Sequence, residues 1–469
     1  MKRYEALAEL IAADIRNGTI PAGSKLPSVR KLRAQHQVSA STVFEAYHRL
    51  EDRGLVRARE RSGYFALGIK HDVFAMPKAS SATPQPAQVD ISQLIFSILG
   101  AVQDRNILPL GSAFPSPKHF PLPRLAKSLA STARFIDPWE TVASLPPGHL
   151  ALRQQIALRY LGLGIPQAPE NIIITNGALE ALNLCLAAVA QPGDLIAIES
   201  PGFYAPLQAI ERLKMRALEI PVCAKEGLDL DSLEALLAQH PVKACWFMTS
   251  FQNPMGVSLS EEKKQRLVHM LSARQIPLIE DDVYGELYFG TRQPLPAKAF
   301  DTQGWVMHCS SFSKSLAPGY RIGWVSPGRF ARQVEQLKLM TTLSASVPAQ
   351  VAIADYLQTG AYDKHLRKLR HTLESQLVLM LDAIRRHFPS TVRVSCPSGG
   401  YFVWLEFPSG FDTLRLHRQA AEQGISIAPG PIFSASRQFQ NCMRLNFGGQ
   451  WNEDFEEAMK TLGHLIAEQ

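Results

Sequence analysis

The spacing of hydrophobic positions changes along the chain and divides it into three stretches. Near the N-terminus the spacing is helical. Leu7, Leu10, Ile11 and Ile15 fall at offsets 0, 3, 4 and 8, one apolar stripe on a helix that the Asn17-Gly18 pair would end. Pro21 to Gly23 turns the chain, and Ser28 is placed to cap a short second helix that carries Arg30, Lys31, Leu32 and Arg33. Ser39 can cap a third helix, with Val43, Ala46, Tyr47 and Leu50 on its buried face and Ser41, Thr42, Phe44, Glu45 and His48 opposite. Gly54 to Phe65 then reads as two short strands around a basic turn, with Arg57, Arg59 and Arg61 placed for phosphates or a narrow groove.

Periodicity is lost over residues 71–90, which are rich in Ala, Ser, Pro and Gln, and a flexible linker is expected there. As a coil, a segment of that length spans about 25 Å root-mean-square, enough for the N-terminal module to swing or to reach a neighbouring subunit. From about residue 92 short apolar runs alternate with helical patterns; the runs are 172–175, 194–198, 244–248, 276–279 and 305–308. Such alternation predicts an α/β domain with a largely parallel sheet.

Charge sharpens the division. The 469-residue chain carries a formal +7, and residues 1–70 hold 13 Lys and Arg against 7 Asp and Glu, a net +6. A small basic module on a nearly neutral body points to a polyanion as the module's partner. Two short helices joined by a tight turn, with small polar residues opening the second, match a helix-turn-helix, whose recognition helix sets its first residues against base edges. With 46% hydrophobic and 19% charged residues, fibrous, collagen-like and wholly disordered chains are excluded. The six cysteines form no C-x-x-C pair, so neither a disulfide framework nor a metal site is expected. The N-terminus is no signal peptide and no apolar run reaches 18 residues, so the expectation is a soluble protein of the reducing cytoplasm with no membrane contact.

In open α/β sheets ligands collect at the carboxyl ends of the strands, so the residues after each run carry the chemistry. The first run is followed by Asn176, Gly177, Ala178 and Leu179, a glycine turn opening a helix, whose free N–H groups and dipole suit a phosphate. The fourth is followed by Glu280, Asp281, Asp282, Val283 and Tyr284. The fifth leads into Ser311, Phe312, Ser313 and Lys314, with Arg321 seven residues beyond the lysine. A lysine among serines followed by an arginine offers an amine and an oxyanion clamp.

Two resemblances rest on these residues. L-P-S-V-R at 26–30, V-S-A-S-T-V at 38–43, A-Y-H-R-L at 46–50 and the G-L-V and S-G-Y-F ends of 54–65 resemble a GntR-type winged helix-turn-helix over about 65 residues. The resemblance implies double-stranded operator DNA as a partner. Its candidate contacts are Arg30, then Ser39, Ser41 and Thr42 around the start of the recognition helix, and Arg57 and Arg61 in the wing. The family often has an arginine where this chain has Ala40, so its operator should differ.

The S-F-S-K run at 311–314 with Pro318, Gly319, Arg321 and Gly323, preceded in order by N-P-M-G at 253–256 and E-D-D-V-Y at 280–284, resembles the aspartate-aminotransferase superfamily, pyridoxal-phosphate fold type I, over most of residues 105–465. That implies a mostly parallel α/β body with a smaller C-terminal α+β subdomain and pyridoxal 5′-phosphate as cofactor. By the same resemblance Lys314 is the catalytic lysine and forms the internal aldimine, Asp281 pairs with the pyridinium nitrogen, Tyr284 and Asn253 bond the phenolic oxygen, and Phe203 stacks on the ring. Ser311, Ser313 and Arg321, with Gly177 and the backbone of Ala178 and Leu179, hold the phosphate, and Arg444 takes an amino acid's α-carboxylate. Family members often carry a hydroxyl or amide at positions 178 and 179, so this phosphate cup is expected to be thinner.

A winged helix at 1–70, a linker at 71–90 and an aminotransferase-like body at 91–469 make the arrangement of MocR-type regulators. It implies a homodimeric transcription factor that senses an amino acid or a vitamin B6 ligand through an aldimine at Lys314. The alternative is a working aminotransferase, acting on an amino acid with a keto-acid acceptor.

Overall fold

The computed structural model describes residues 2–16, 19–21, 24–52, 55–59, 63–66, 74–80, 85–100 and 107–469. Its N-terminal module contains α1 (Arg3–Arg16), α2 (Val29–His36), α3 (Ala40–Asp52), β1 (Val56–Arg59) and β2 (Gly63–Ala66). Both caps form: Ser28 Oγ accepts from the Lys31 N–H at 3.2 Å and Ser39 Oγ from the Thr42 N–H at 3.1 Å. Between them Gln37 takes a left-handed conformation, φ 50, which ends α2 and turns the chain into α3. Val43, Ala46, Tyr47 and Leu50 are all buried, and the Tyr47 hydroxyl donates to the Pro27 carbonyl. β1 and β2 pair antiparallel, with Val56 opposite Ala66 and Arg59 opposite Gly63.

In α1 the buried positions are Leu7, Ala8, Ile11, Ala12 and Ile15, whereas Leu10 is 48% exposed. The predicted stripe is thus rotated. α1 packs on α3, and with Ala8 and Ala12 both buried the contact runs along the small side chains, which leaves Leu10 on the rim. The Asn17-Gly18 stop and Arg61 lie outside the described residues.

The described parts of 71–90 depart from a free coil. Residues 74–80 and 85–90 make backbone and side-chain hydrogen bonds to the body, and Ala87 exchanges both N–H···O bonds with Ala217 at 2.9 Å. Val89 is buried beside Ile91 in the body's core. Pro- and Ser-rich composition signals weak internal structure, but it does not prevent an extended chain from finding backbone partners on a neighbouring surface. The 25 Å swing therefore does not describe these stretches.

The body is built on one eight-stranded sheet: β3 (Ile173–Thr175), β4 (Leu195–Ser200), β5 (Arg216–Cys223), β6 (Gly227–Leu228), β7 (Val242–Phe247), β8 (Leu278–Asp281), β9 (Val306–Ser311) and β10 (Gly323–Ser326). Their order is β3-β10-β9-β8-β7-β4-β5-β6. β9, β8, β7, β4 and β5 are successively parallel; β10 runs antiparallel between β3 and β9, and β6 antiparallel on the edge. Strands buried on both faces need apolar runs rather than alternation, which is how 194–198 and 244–248 read in the sequence. A second, antiparallel sheet follows: β11 (Arg393–Val394), β12 (Phe402–Glu406), β13 (Ala428–Pro429) and β14 (Cys442–Asn446), in the order β11-β12-β14-β13. The helices Ala361–His387 and Glu453–Ala467 pack against each other beside it. No helix among the described residues is long and apolar enough to cross a membrane.

Because Ser39 Oγ satisfies an otherwise unpaired N–H at the start of α3, Ser39→Ala should destabilise that helix by about 1 kcal/mol. Amide hydrogen exchange along α3 of the full chain, with Ser41→Ala as the control that spares the cap, would read this as faster exchange in the first variant alone.

Candidate functional site

The carboxyl ends of β3, β4, β8 and β9 open onto a cavity of about 300 Å³. Lys314, three residues past β9, lies in its wall. Its Nζ donates to the Ala113 carbonyl at 2.8 Å and sits 3.5 Å from the centre of the Phe114 ring. Burial lowers its pKa to about 7; Asp281 opposes the shift, while the cations of Arg444 and Arg321 add to it.

Asp281 closes β8 and is buried. Burial, then the neighbouring Asp282, raises its pKa to about 7, against the Val283 N–H, Lys314 and His308. Its Oδ1 has no hydrogen-bond partner. Tyr284, on the loop beyond, is also buried, and burial pushes its hydroxyl pKa upward. Phe203, on the turn after β4, forms a further wall against Tyr204, with ring centres 4.4 Å apart.

Arg444 comes from β14 and is only 1% exposed. Its Nη1 donates to Asn253 Oδ1 at 2.8 Å and its Nη2 to the Gly111 carbonyl at 2.5 Å, and the guanidinium lies 4.3 Å from the centre of the Phe402 ring. Arg444 Nε and Asn253 Nδ2 have no partner. Burial presses the arginine toward its neutral form, so the fold holds a cation whose surroundings favour an incoming anion.

The remaining predicted residues gather at the far end. Arg321 donates from Nη1 to Ser313 Oγ at 3.3 Å and from Nη2 to the Asn176 carbonyl at 3.4 Å, and Ser311 Oγ accepts from the Ser313 N–H at 3.4 Å. Gly177 has φ 82, and a Cβ there would lie 2.5 Å from Arg321 Nη2, so a side chain would displace the guanidinium. The helix Ala178–Val189 begins after Gly177 with no side-chain cap, which leaves its first N–H groups free for an anion beside the cavity that Ala178 and Leu179 line.

In the N-terminal module Arg30 on α2, Ser39 and Ser41 at the head of α3 and Arg57 on β1 are exposed, with Thr42 half-buried among them. Ser39 Oγ lies 2.8 Å from both the Ser41 and the Thr42 hydroxyl, so the three act as one hydrogen-bonded group at the helix start.

Sequence reading did not single out Ala113 and Phe114, which meet Lys314, or the chain behind Asp281. There His308 Nε2 is 3.1 Å from Asp282 Oδ2, the Tyr160 hydroxyl is 2.7 Å from His308 Nδ1, and Trp324 Nε1 donates to that hydroxyl at 3.1 Å. The doubled acid at 281–282 was the signal available for this chain; an isolated aromatic in a loop gave none for Phe114.

The cavity suits a flat, doubly anionic ring compound. A carboxylate with a free oxygen, an aromatic wall, an amine whose pKa is lowered to about 7 and the Arg321 guanidinium with its two serines line it. Comparison with known proteins gives the same answer. Residues 107–462 match the aminotransferase class I and II family, and residues 3–65 match the gntR family of bacterial regulatory proteins. The chain belongs to the class I and II aminotransferase family and carries a GntR-type head, the MocR-type architecture of a DNA-binding transcriptional regulator, with pyridoxal phosphate as cofactor.

It is 46% identical over 470 residues to YdcR, an uncharacterized HTH-type transcriptional regulator of Escherichia coli (strain K12), with 100% of each chain covered. Among solved structures it resembles the kynurenine aminotransferase of Pyrococcus horikoshii, at 31% identity and a TM-score of 0.73 over 80% of this chain and 94% of that one. It also resembles LysN, an α-aminoadipate aminotransferase from Thermus thermophilus solved with N-(5′-phosphopyridoxyl)-L-leucine, at 28% identity and a TM-score of 0.72 over 81% of this chain and 99% of that one.

Only a neutral amine attacks an aldehyde, and burial lowers the Lys314 pKa to about 7. The rate at which the cofactor-free protein takes up pyridoxal phosphate should therefore rise about tenfold per pH unit below that value and level off above it. Stopped-flow absorbance across the pH range measures this; a rise that continues toward the ordinary lysine range would contradict the assignment.

Proposed function

We propose that the body holds pyridoxal phosphate at Lys314 and senses an amino acid, or the B6 vitamer itself, and that occupancy of this site changes how the protein holds operator DNA. The observation that carries the reading is Arg444: a buried guanidinium with a free Nε, braced by Asn253, near enough to Lys314 for its charge to help lower the amine's pKa. A bidentate carboxylate fits it. Bound there, the cofactor supplies an aldehyde for amines and a ring that draws electrons from a ligand's α-carbon. Asp281 would keep the ring nitrogen protonated, Phe203 would form a wall against the ring, and Tyr284 and Asn253 would donate to its phenolic oxygen. Ser311, Ser313, Arg321 and the Gly177 turn, with the N–H groups of Ala178 and Leu179, would hold the phosphate.

In the head, Arg30, Ser41 and Thr42 meet DNA from α2 and the start of α3, Ser39 orders that helix start, and Arg57 and Arg61 contact the backbone from the wing. The working unit is a homodimer. Phe135, 87% exposed, Trp139, 76% exposed, and Val142, 74% exposed, are large apolar side chains left in solvent within one short stretch of the body, which a second copy would cover. A second reading, complete transamination, is favoured by the Lys314 amine near 7, which can accept an α-proton at neutral pH.

The test uses the purified, cofactor-loaded full chain. Amino acids are added in turn while the visible absorbance and the affinity for selected operator DNA are followed, and sedimentation of the same samples should report two chains. Arg444→Lys should weaken the amino-acid response by about tenfold or more, the cost of charge-assisted hydrogen bonds lost in a buried site. Lys314→Ala should abolish the ligand-dependent change in DNA affinity, and an unchanged response would contradict the sensing reading. Conversion of the cofactor to its amine form with release of a keto acid would favour the enzyme.

A further inference from the structure

The segment that joins the head to the body is anchored to both halves of the ligand site. Residues 74–80 first follow the C-terminal sheet. The Val394 N–H donates to the Ala75 carbonyl at 3.1 Å, the Arg393 guanidinium to the Met76 carbonyl at 3.1 Å, and the Lys78 N–H to Glu406 Oε2 at 2.6 Å. Two residues later the chain is on the large sheet: Ser80 Oγ donates to the Ser200 carbonyl at 2.5 Å and accepts from the Val222 N–H at 3.0 Å. Beyond, Ala87 pairs with Ala217 on β5, and Glu211 accepts from the N–H groups of Ile91 and Ser92, both at 3.0 Å.

These anchors adjoin the groups that would grip a ligand. Ser200 ends β4, three residues before Phe203. Glu406 lies on β12 opposite Cys442 of β14, the strand that carries Arg444 opposite Trp404. The ring wall and the carboxylate clamp thus sit on different sheets, and the linker is bonded to each beside them. Between the Lys78 anchor and the Ser80 anchor there is one residue, Ala79, so the chain between them reaches at most about 7 Å and has little slack.

We propose that residues 74–80 and 85–91 form a strap that senses the spacing between the two sheets, with Ser80 as its positioning residue, and passes that spacing to the DNA-binding head. The proposal rests on reading the cavity as a cofactor and amino-acid site. A ligand stacked on Phe203 and clamped by Arg444 holds the sheets at one separation. A strap without slack follows that separation or gives up an anchor, and either event changes how the head is tethered. By linkage, a head fixed on DNA biases the same separation in return. A free coil of this length would transmit neither effect.

The test uses the cofactor-free full chain and N-(5′-phosphopyridoxyl)-L-leucine, a probe that carries ring, phosphate and α-carboxylate in one molecule. Calorimetry measures its binding, and hydrogen exchange with mass spectrometry measures the strap. In the wild type, saturation should change exchange at the amides of residues 78, 80 and 87 by about threefold or more, as expected for a shift in a local opening equilibrium. Ser80→Ala should still bind the probe yet show the same exchange over 74–80 with and without it, and should lose the probe's effect on operator affinity. Ser80→Thr, which keeps the hydroxyl, should restore both. Probe binding that leaves the wild-type strap unchanged, or a response that survives Ser80→Ala, overturns the proposal. A probe that does not bind overturns the reading of the cavity, and with it the strap's role.

Discussion

The body is organised around charge that has been taken out of water without being fully paired. Arg444 is buried with a free Nε, Asp281 is buried with a free carboxylate oxygen, and Lys314, which feels both charges, has its pKa lowered to about 7. Removing a charged side chain from solvent costs several kcal/mol, and removing three into one site is tolerable only if they offset one another and the surrounding fold is rigid. The Asp281 carboxylate and the lysine amine moderate each other, and Asn253 and the Gly111 carbonyl share the guanidinium. The offset is incomplete. What remains unpaired suits pyridoxal phosphate and, in the reading proposed above, an amino acid's carboxylate.

This constraint explains why so many strand ends must converge. Asp281 ends one strand, Lys314 and the serines follow the next, the glycine turn follows a third, and Arg444 arrives from a separate sheet. Gly177 must lack a side chain because Arg321 lies against it, and Gly323 because a Cβ there would sit 2.5 Å from the Gly177 carbonyl carbon. The basic head carries almost all of the chain's net charge and the body is nearly neutral overall, so the site is set by a few local charges rather than by a long-range field. The proposed coupling between the two modules rests on the contacts that residues 74–80 and 85–91 make with the body.

Much of this was legible in the sequence because local chemistry and tertiary position agree there. Ser28 and Ser39 read as caps and are caps; Val43, Ala46, Tyr47 and Leu50 read as one face and are buried together. The apolar runs ending near residues 175, 198, 248, 279 and 308 are strands, and residues following each of them except the 244–248 run line the cavity, where that run contributes Met248 itself. What was not legible depends on partners distant in the chain. Leu10 has the same hydrophobicity as its neighbours, and only the approach of α3 along Ala8 and Ala12 leaves it outside. Residues 74–80 have the composition of a coil, and their order comes from backbone groups of Val394, Ser200 and Val222 and from the Arg393 and Glu406 side chains, partners distant in the chain that the local composition does not encode. Phe114 meets Lys314 from a loop two hundred residues earlier. The antiparallel strand β10 was hidden because it begins at Gly323, inside the motif that drew attention to Arg321.

If occupancy of the ligand site changes operator binding, the site and the DNA-binding head share a free energy. Thermodynamic linkage makes this measurable in either direction. With an operator selected from random DNA, the dissociation constant of N-(5′-phosphopyridoxyl)-L-leucine would be measured by calorimetry for the full chain alone and for the chain saturated with operator. Coupled sites should give two different constants, whose ratio equals the ratio of operator affinities measured with and without the probe. Equal constants, from a protein that binds both partners, would contradict the coupling.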